Sequence, residues 1–393
     1  MNDNELILHI GPPKCASTAI QHALGARRKE LAAVNYHVVA GRPEAVKELV
    51  GLRHPYEQAP RAGSWRALAR ELRQHEGKRV VYSDEFLAFA QEDAINKLAA
   101  DLGVERISIV FGVRPLSKIL PSYWQQNLKA GLPTSFEEWL QMILLTQATG
   151  DLSQRSHRFW QSELHHSLAE RWAKVFGKER ITAIVLNERL HQENLASFAS
   201  LIGAPRNIFD GVTPTANRSL SRWEAAALQR FNKEITERTP DSVAALVISS
   251  SAGVRLLARD TSNEPQMKLP AWAQDQVQRI EETIAAGLRE SGIHLVGDVS
   301  NLIAQLPPVS AASVDAPTDV AAEIGATIAI GAMETTGVIP PPLIGTPNSM
   351  SYDRRLLPVR IIAAALIDVV KYRIAFRMRL LSRRLKRFRP WKR

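Results

Sequence analysis

Lys14, Ser17 and Thr18 fall within five residues of one another, after the apolar run Leu6–Ile10 and before a stretch of helical pattern. The order Gly11-Pro12-Pro13-Lys14-Cys15-Ala16-Ser17-Thr18 is a tight loop between strand and helix. Such a loop gathers backbone N–H groups at a helix N-terminus, where geometry and dipole together favour an anion. Ser17 and Thr18 add hydroxyl donors, and Lys14 adds a positive charge on a flexible stem. These groups suit a bound phosphate. Hydrolysis of a nucleoside triphosphate is disfavoured. An ATPase loop reads G-x-x-x-x-G-K-[ST], whereas this lysine precedes Ser17 by three residues and no second glycine follows.

A second constellation lies further along. The run Ile107-Ser108-Ile109-Val110-Phe111-Gly112-Val113 is a buried-type strand ending at Arg114, and Ser122 opens a helix-like stretch eight residues after that arginine. Arginine forks onto two phosphate oxygens and serine adds a neutral donor; a strand-end arginine in a salt bridge has the same sequence appearance. A third group, Asp84-Glu85, ends the strand-like Val80-Val81-Tyr82-Ser83. Ligands of open α/β sheets bind beyond the carboxyl ends of strands, so either acid can face a substrate there as a general base. Glu85 is the first choice and Asp84 the second, although Ser83 or Asp84 equally suits a helix N-cap with a first-turn acid. His37 and His54 are looser options for the base.

These residues need a scaffold, and the first 210 residues supply one. Strand-like runs at Leu6–Ile10, Tyr36–Val39, Arg79–Ser83, Ile107–Val113 and Ile181–Leu186 alternate with helical patterns such as Ala67–His75, Asp93–Leu102 and Leu164–Phe176. The alternation predicts an α/β fold, with a mostly parallel central sheet flanked by helices. Residues 215–300 read as helical, clearest at Arg222–Thr236 and Trp272–Gly287. From Leu306 to Pro347 the composition turns to Ala, Val, Thr, Gly and Pro, which marks a poorly ordered linker in which Val320–Ile330 can form a short helix. The expected domains are a body over 1–300, a linker over 301–350 and a basic amphipathic C-terminal helix over 351–393.

The loop and the arginine strand together resemble the sulfotransferases that use 3′-phosphoadenosine 5′-phosphosulfate (PAPS). In that P-loop family the 5′-phosphosulfate loop reads Lys-x-Gly-Thr-Thr or Lys-x-Gly-Ser-Thr, which Lys14-Cys15-Ala16-Ser17-Thr18 matches except for alanine in place of glycine. Alanine is comfortable only at negative φ, so a tighter loop or a displaced cofactor is expected. The family's strand-end arginine and its serine eight residues on bind the 3′-phosphate, which the resemblance assigns to Arg114 and Ser122. The tryptophan helix Leu168–Gly177, the turn Asn187-Glu188-Arg189-Leu190 and the late polar loop Asn217-Arg218-Ser219-Leu220-Ser221 are also similar, and they suggest Arg218 as a further phosphate contact. The likeness spans roughly residues 5–235. It implies PAPS as co-substrate, bound by Gly11, Lys14, Cys15, Ala16, Ser17, Thr18, Arg114, Ser122 and Arg218, and sulfuryl transfer to a hydroxyl acceptor, expected to be a carbohydrate. Lys14 would stabilise the leaving phosphate. No metal is required for this chemistry, and no cluster shows zinc-ligand spacing. The acceptor surface is expected from Gly41–Ser64 and Trp124–Gly131, with Trp65 and Trp124 either stacking on sugars or packed in the core.

Bulk properties set the remaining bounds. The chain has 393 residues, 45% hydrophobic and 23% charged, and a single cysteine, which excludes an internal disulfide. The start lacks a signal-peptide pattern, so a cytoplasmic location is expected. The net charge of +10 is concentrated in residues 353–393, where 14 Lys/Arg face two acids and the remainder sums to −2. There Ile367, Val370, Ile374, Met378, Leu381, Leu385 and Phe388 form an apolar stripe flanked by basic residues. This pattern suits an anionic membrane surface, reached as a peripheral protein, or a protein partner. No nucleic-acid recognition module accompanies the charge. Two other classes remain: a small-molecule kinase of P-loop type, and a membrane-associated nucleotide-binding protein without turnover.

Overall fold

The apolar runs form one sheet. The computed structural model describes residues 5–52, 61–74, 77–149, 155–187, 190–212, 218–238, 242–304 and 318–335. Six strands are present: β1 (Leu6–His9), β2 (Tyr36–Val38), β3 (Arg79–Ser83), β4 (Ile107–Val113), β5 (Ile181–Val185) and β6 (His294–Val296). They lie in the order β2-β3-β1-β4-β5-β6, and every pairing is parallel. β1 is central, with Leu6 in register with Val80 on one side and Ile107 on the other. Its four residues are all buried, as are all but Ser108 in β4, and continuous apolar runs are what strands covered on both faces require. The expected α/β class and mostly parallel sheet are therefore present.

β6 lies in a region that reads as helical. Three residues, His-Leu-Val, are too short to show alternation, and only pairing with β5 makes them a strand. The described residues divide into two compact units, one within 5–128, 134–226 and 261–304, the other within 129–133, 227–260 and 318–335. The first contains the whole sheet. In the second, the helix Thr318–Thr335 lies within the stretch that composition marks as a linker. It buries Ile324 and Ile328, four residues apart on one helical face, and a Cβ on Gly331 would stand 2.9 Å from Ala252 Cα of the helix Ser242–Leu256. Small residues bring these two backbones together, so an alanine-rich run that looks loose in sequence packs as helix. No helix among the described residues is long and apolar enough to cross a membrane. The basic tail, 351–393, lies outside the described residues.

Candidate active site

Strand order changes direction at β1. The chain leaves β1 toward β2 and β3 on one side, then crosses to β4 on the other, so the loops after β1 and β4 border one crevice at the carboxyl ends. The loop after β1 carries Lys14, and the residue after β4 is Arg114. Their meeting is recorded by a hydrogen bond from Arg114 Nη1 to the Lys14 carbonyl at 3.3 Å.

Several contacts fix the loop's shape. Ile10 N donates to Val110 O at 3.0 Å, Gly112 N to Gly11 O at 3.3 Å, and Cys15 N to Pro12 O at 3.3 Å. A Cβ on Gly112 would lie 2.7 Å from the Cys15 carbonyl oxygen, and one on Gly11 would lie 2.9 Å from Glu85 Cα. Both glycines thus allow backbone approaches that no other residue permits. Ser17 is buried, and its Oγ donates to Pro12 O at 2.8 Å, so its hydroxyl closes the loop while Thr18 is exposed at the surface. The helix Ser17–Ala26 has no side-chain cap, so its first-turn N–H groups lack side-chain acceptors, which is the arrangement an anion fills.

Lys14 at φ 65 and Ala16 at φ 60 are both left-handed. Alanine's preference for negative φ, from which a tighter loop or a displaced cofactor is expected, is overridden: the loop keeps a glycine-like conformation with alanine in place. Alternating left-handed residues turn successive N–H groups toward one concavity, the geometry of an anion nest. The left-handed state costs a non-glycine residue roughly 1–2 kcal/mol, and the anchors at Gly112 and Ser17 hold it in place. Replacing Ala16 with glycine should therefore stabilise the protein by about 0.5–1 kcal/mol, after allowing for the greater unfolded-state entropy of glycine. Equilibrium denaturation measures this, and a loss of stability would show that the Ala16 methyl packs favourably.

Ser122 does not open a helix. It is half-buried in the second turn of Leu116–Lys129, a helix with Pro121 inside it. The true start is set from outside: Glu281 Oε1 accepts from Ser117 N at 2.7 Å while Oε2 accepts from Ala304 N at 2.9 Å. Arg218 makes a two-pronged ion pair with Glu224, Nη1 to Oε2 at 2.7 Å and Nη2 to Oε1 at 2.9 Å. Glu224 is fully buried and also accepts from Ser221 N, so this arginine braces the start of the helix Arg222–Arg238.

The two acids divide their roles. Asp84 is the N-cap of the short 3-10 turn Glu85–Phe89: Oδ1 accepts from Phe86 N at 3.0 Å and Oδ2 from the Tyr82 hydroxyl at 3.1 Å. Burial pushes its carboxyl up to about 6, partly offset by those two bonds. Glu85 packs its backbone on Gly11 and is only partly exposed. Burial raises its pKa, the Lys14 ammonium draws it back down, and Glu163 raises it again. A cavity of about 300 Å³ adjoins both acids, bordered by Gly41, Arg28, Ser83 and Phe86. Glu85 therefore faces the loop lysine and borders the cavity. Among the described residues, the expected acceptor segment Gly41–Ser64 reaches this cavity through Gly41 and Pro43; it contains the helix Pro43–Val50, and residues 53–60, with His54, lie outside the described residues. His37 is half-buried within β2. Trp65 and Trp124 are core residues, their indole N–H groups bonded to Asp101 Oδ2 at 2.6 Å and Thr134 O at 3.2 Å.

Sequence spacing does not reveal three further residues here. Glu163 ends the helix Arg155–Glu163 fully buried, and both Lys14 and Tyr123 feel its charge. His165 begins the next helix, with Nε2 3.8 Å from Cys15 Sγ across 150 residues of sequence. Tyr123 is half-buried, its hydroxyl pKa raised by burial and then by Glu163 and Glu85.

No protein-family model and no curated protein sequence matches the chain. Among solved structures, the crystal structure of a sulfotransferase from Alicyclobacillus acidocaldarius is similar at 14% identity and a TM-score of 0.38, covering 65% of this chain and 97% of that one. A likeness that weak assigns no residue a role.

Proposed function

We propose that the protein is a sulfotransferase that takes PAPS as donor and a hydroxyl compound, of carbohydrate class, as acceptor. The observation that carries this is the bond from Arg114 to the Lys14 carbonyl, which brings two oxyanion-binding elements 100 residues apart to one crevice. Loop N–H groups bind the 5′-phosphosulfate end, and Arg114 with Ser122 binds the 3′-phosphate. Glu85 accepts the acceptor's hydroxyl proton as the new oxygen–sulfur bond forms. The bond from sulfur to the bridging oxygen breaks, its electron pair leaves with the bisphosphate, and Lys14 stabilises that growing charge. The cavity beside Glu85 receives the acceptor. The basic tail is assigned to attachment at an anionic membrane surface, from its sequence pattern alone.

The test is transfer of labelled sulfate from PAPS to a panel of extracted glycans by the full chain. Labelled product that requires Glu85 is expected. No transfer to any acceptor, with the bisphosphate still bound, would leave a nucleotide-binding protein without turnover.

A further inference from the structure

We infer that Cys15, Glu163 and His165 form a metal site on the inner side of the phosphate loop, suited to zinc. The three side chains are fully buried, and their ligand atoms all lie within 4.8 Å of one another. His165 Nε2 stands 3.8 Å from Cys15 Sγ and 3.6 Å from Glu163 Oε2. One ring nitrogen carries at most one proton, so it cannot serve both neighbours, and the oxygen is beyond ordinary hydrogen-bond reach. Glu163 Oε2 has no hydrogen-bond partner, only the long 3.6 Å approach of His165 Nε2. A buried carboxylate oxygen left in that state is costly.

A cation at the point of convergence removes the difficulty. Tetrahedral zinc, with bonds of about 2.3 Å to sulfur and about 2.0–2.2 Å to nitrogen and oxygen, separates its ligand atoms by roughly 3.3–3.6 Å. The two separations from His165 Nε2, 3.8 Å and 3.6 Å, are close to these, and all three ligand atoms lie within 4.8 Å of one another. Ser162 Oγ donates to Glu163 Oε1 at 2.8 Å, which orients the carboxylate and leaves Oε2 toward the histidine, as outer partners of metal ligands do. A thiolate, a carboxylate and a divalent ion sum to zero charge, which suits a site without solvent. The mixed sulfur, nitrogen and oxygen set favours zinc over magnesium or calcium. Three protein ligands leave the fourth position to an exogenous ligand, and the ion ties the loop at Cys15 to the junction of the helices Arg155–Glu163 and His165–Phe176. Sequence spacing hides the set because Cys15 lies 150 residues from His165. The inference does not depend on which donor the loop binds.

The chain has one cysteine, so a thiolate-to-cobalt charge-transfer band can only report Cys15. The full chain, stripped with a chelator, is titrated with Co²⁺ and then Zn²⁺, and metal content is measured before stripping. One equivalent of zinc as purified and a saturable cobalt band displaced by zinc are expected. Glu163→Gln and His165→Asn should each weaken cobalt binding at least tenfold, with circular dichroism checking their fold. A wild-type protein with neither bound metal nor a cobalt band overturns the site. So does a band unchanged in both folded variants; if neither variant folds, the wild-type titration decides.

Discussion

Replacing Lys14 with alanine is expected to lower turnover by about 10²–10³-fold, the loss typical of one charge-stabilising group at a reacting oxygen. Affinity for 3′-phosphoadenosine 5′-phosphate (PAP) should change by less than about tenfold, because in the proposed binding mode backbone N–H groups and Arg114 hold the nucleotide. In the proposed reaction the ammonium acts on charge that appears only as the sulfur–oxygen bond breaks, so its removal falls on kcat. Single-turnover rates alongside PAP titrations separate the two quantities. An affinity loss as large as the rate loss would make Lys14 a ground-state binding residue.

Glu85→Gln should cost about 10²–10⁴-fold in kcat/KM, the usual range for a general base. It should also change the pH profile. A carboxylate must be ionised to accept a proton, and burial holds Glu85 above its ordinary value even against the pull of Lys14. In the wild type kcat/KM therefore climbs with pH through a limb placed above the usual glutamate value of about 4.3. The variant has nothing to ionise there, so its residual rate should lack that limb. Asp84→Asn is the matching control. Asparagine keeps the Oδ1 cap on Phe86 N and loses only the acceptor for the Tyr82 hydroxyl, so the change should cost about 0.5–1.5 kcal/mol of stability and leave the limb in place. A limb that vanishes with Asp84 and survives in Glu85→Gln would reverse the assignment.

Sequence makes legible what is local. The loop after β1 and the arginine after β4 are short strings whose spacing fixes their role as strand ends, and five of the six strands announce themselves as apolar runs. Ala16 misleads because intrinsic preference speaks for the residue alone. Its φ of 60 is imposed by Gly112, which lets β4 lie against the Cys15 carbonyl, and by Ser17, which locks onto Pro12. Ser122 misleads because Glu281, far along the chain, sets the start of its helix. Arg218 looks like a phosphate ligand, and the structure pairs it with Glu224 six residues away, a contact that depends on the turn between them. Glu163 and His165 carry no signal at all. They reach Cys15 only because the helices Arg155–Glu163 and His165–Phe176 bring their junction to the loop.

In the proposed function, the crevice between the loops after β1 and β4 recognises a 3′-phosphorylated adenosine nucleotide. Calorimetric titration of the full chain with PAP and with AMP, which lacks the 3′-phosphate, tests it most directly, in wild type and Arg114→Ala. PAP should bind wild type at least tenfold more tightly than AMP, and Arg114→Ala should erase that difference, as loss of a charge-assisted bond worth about 1.5–3 kcal/mol requires. Equal affinity for the two nucleotides in wild type, or a preference for PAP that survives in Arg114→Ala, would contradict it.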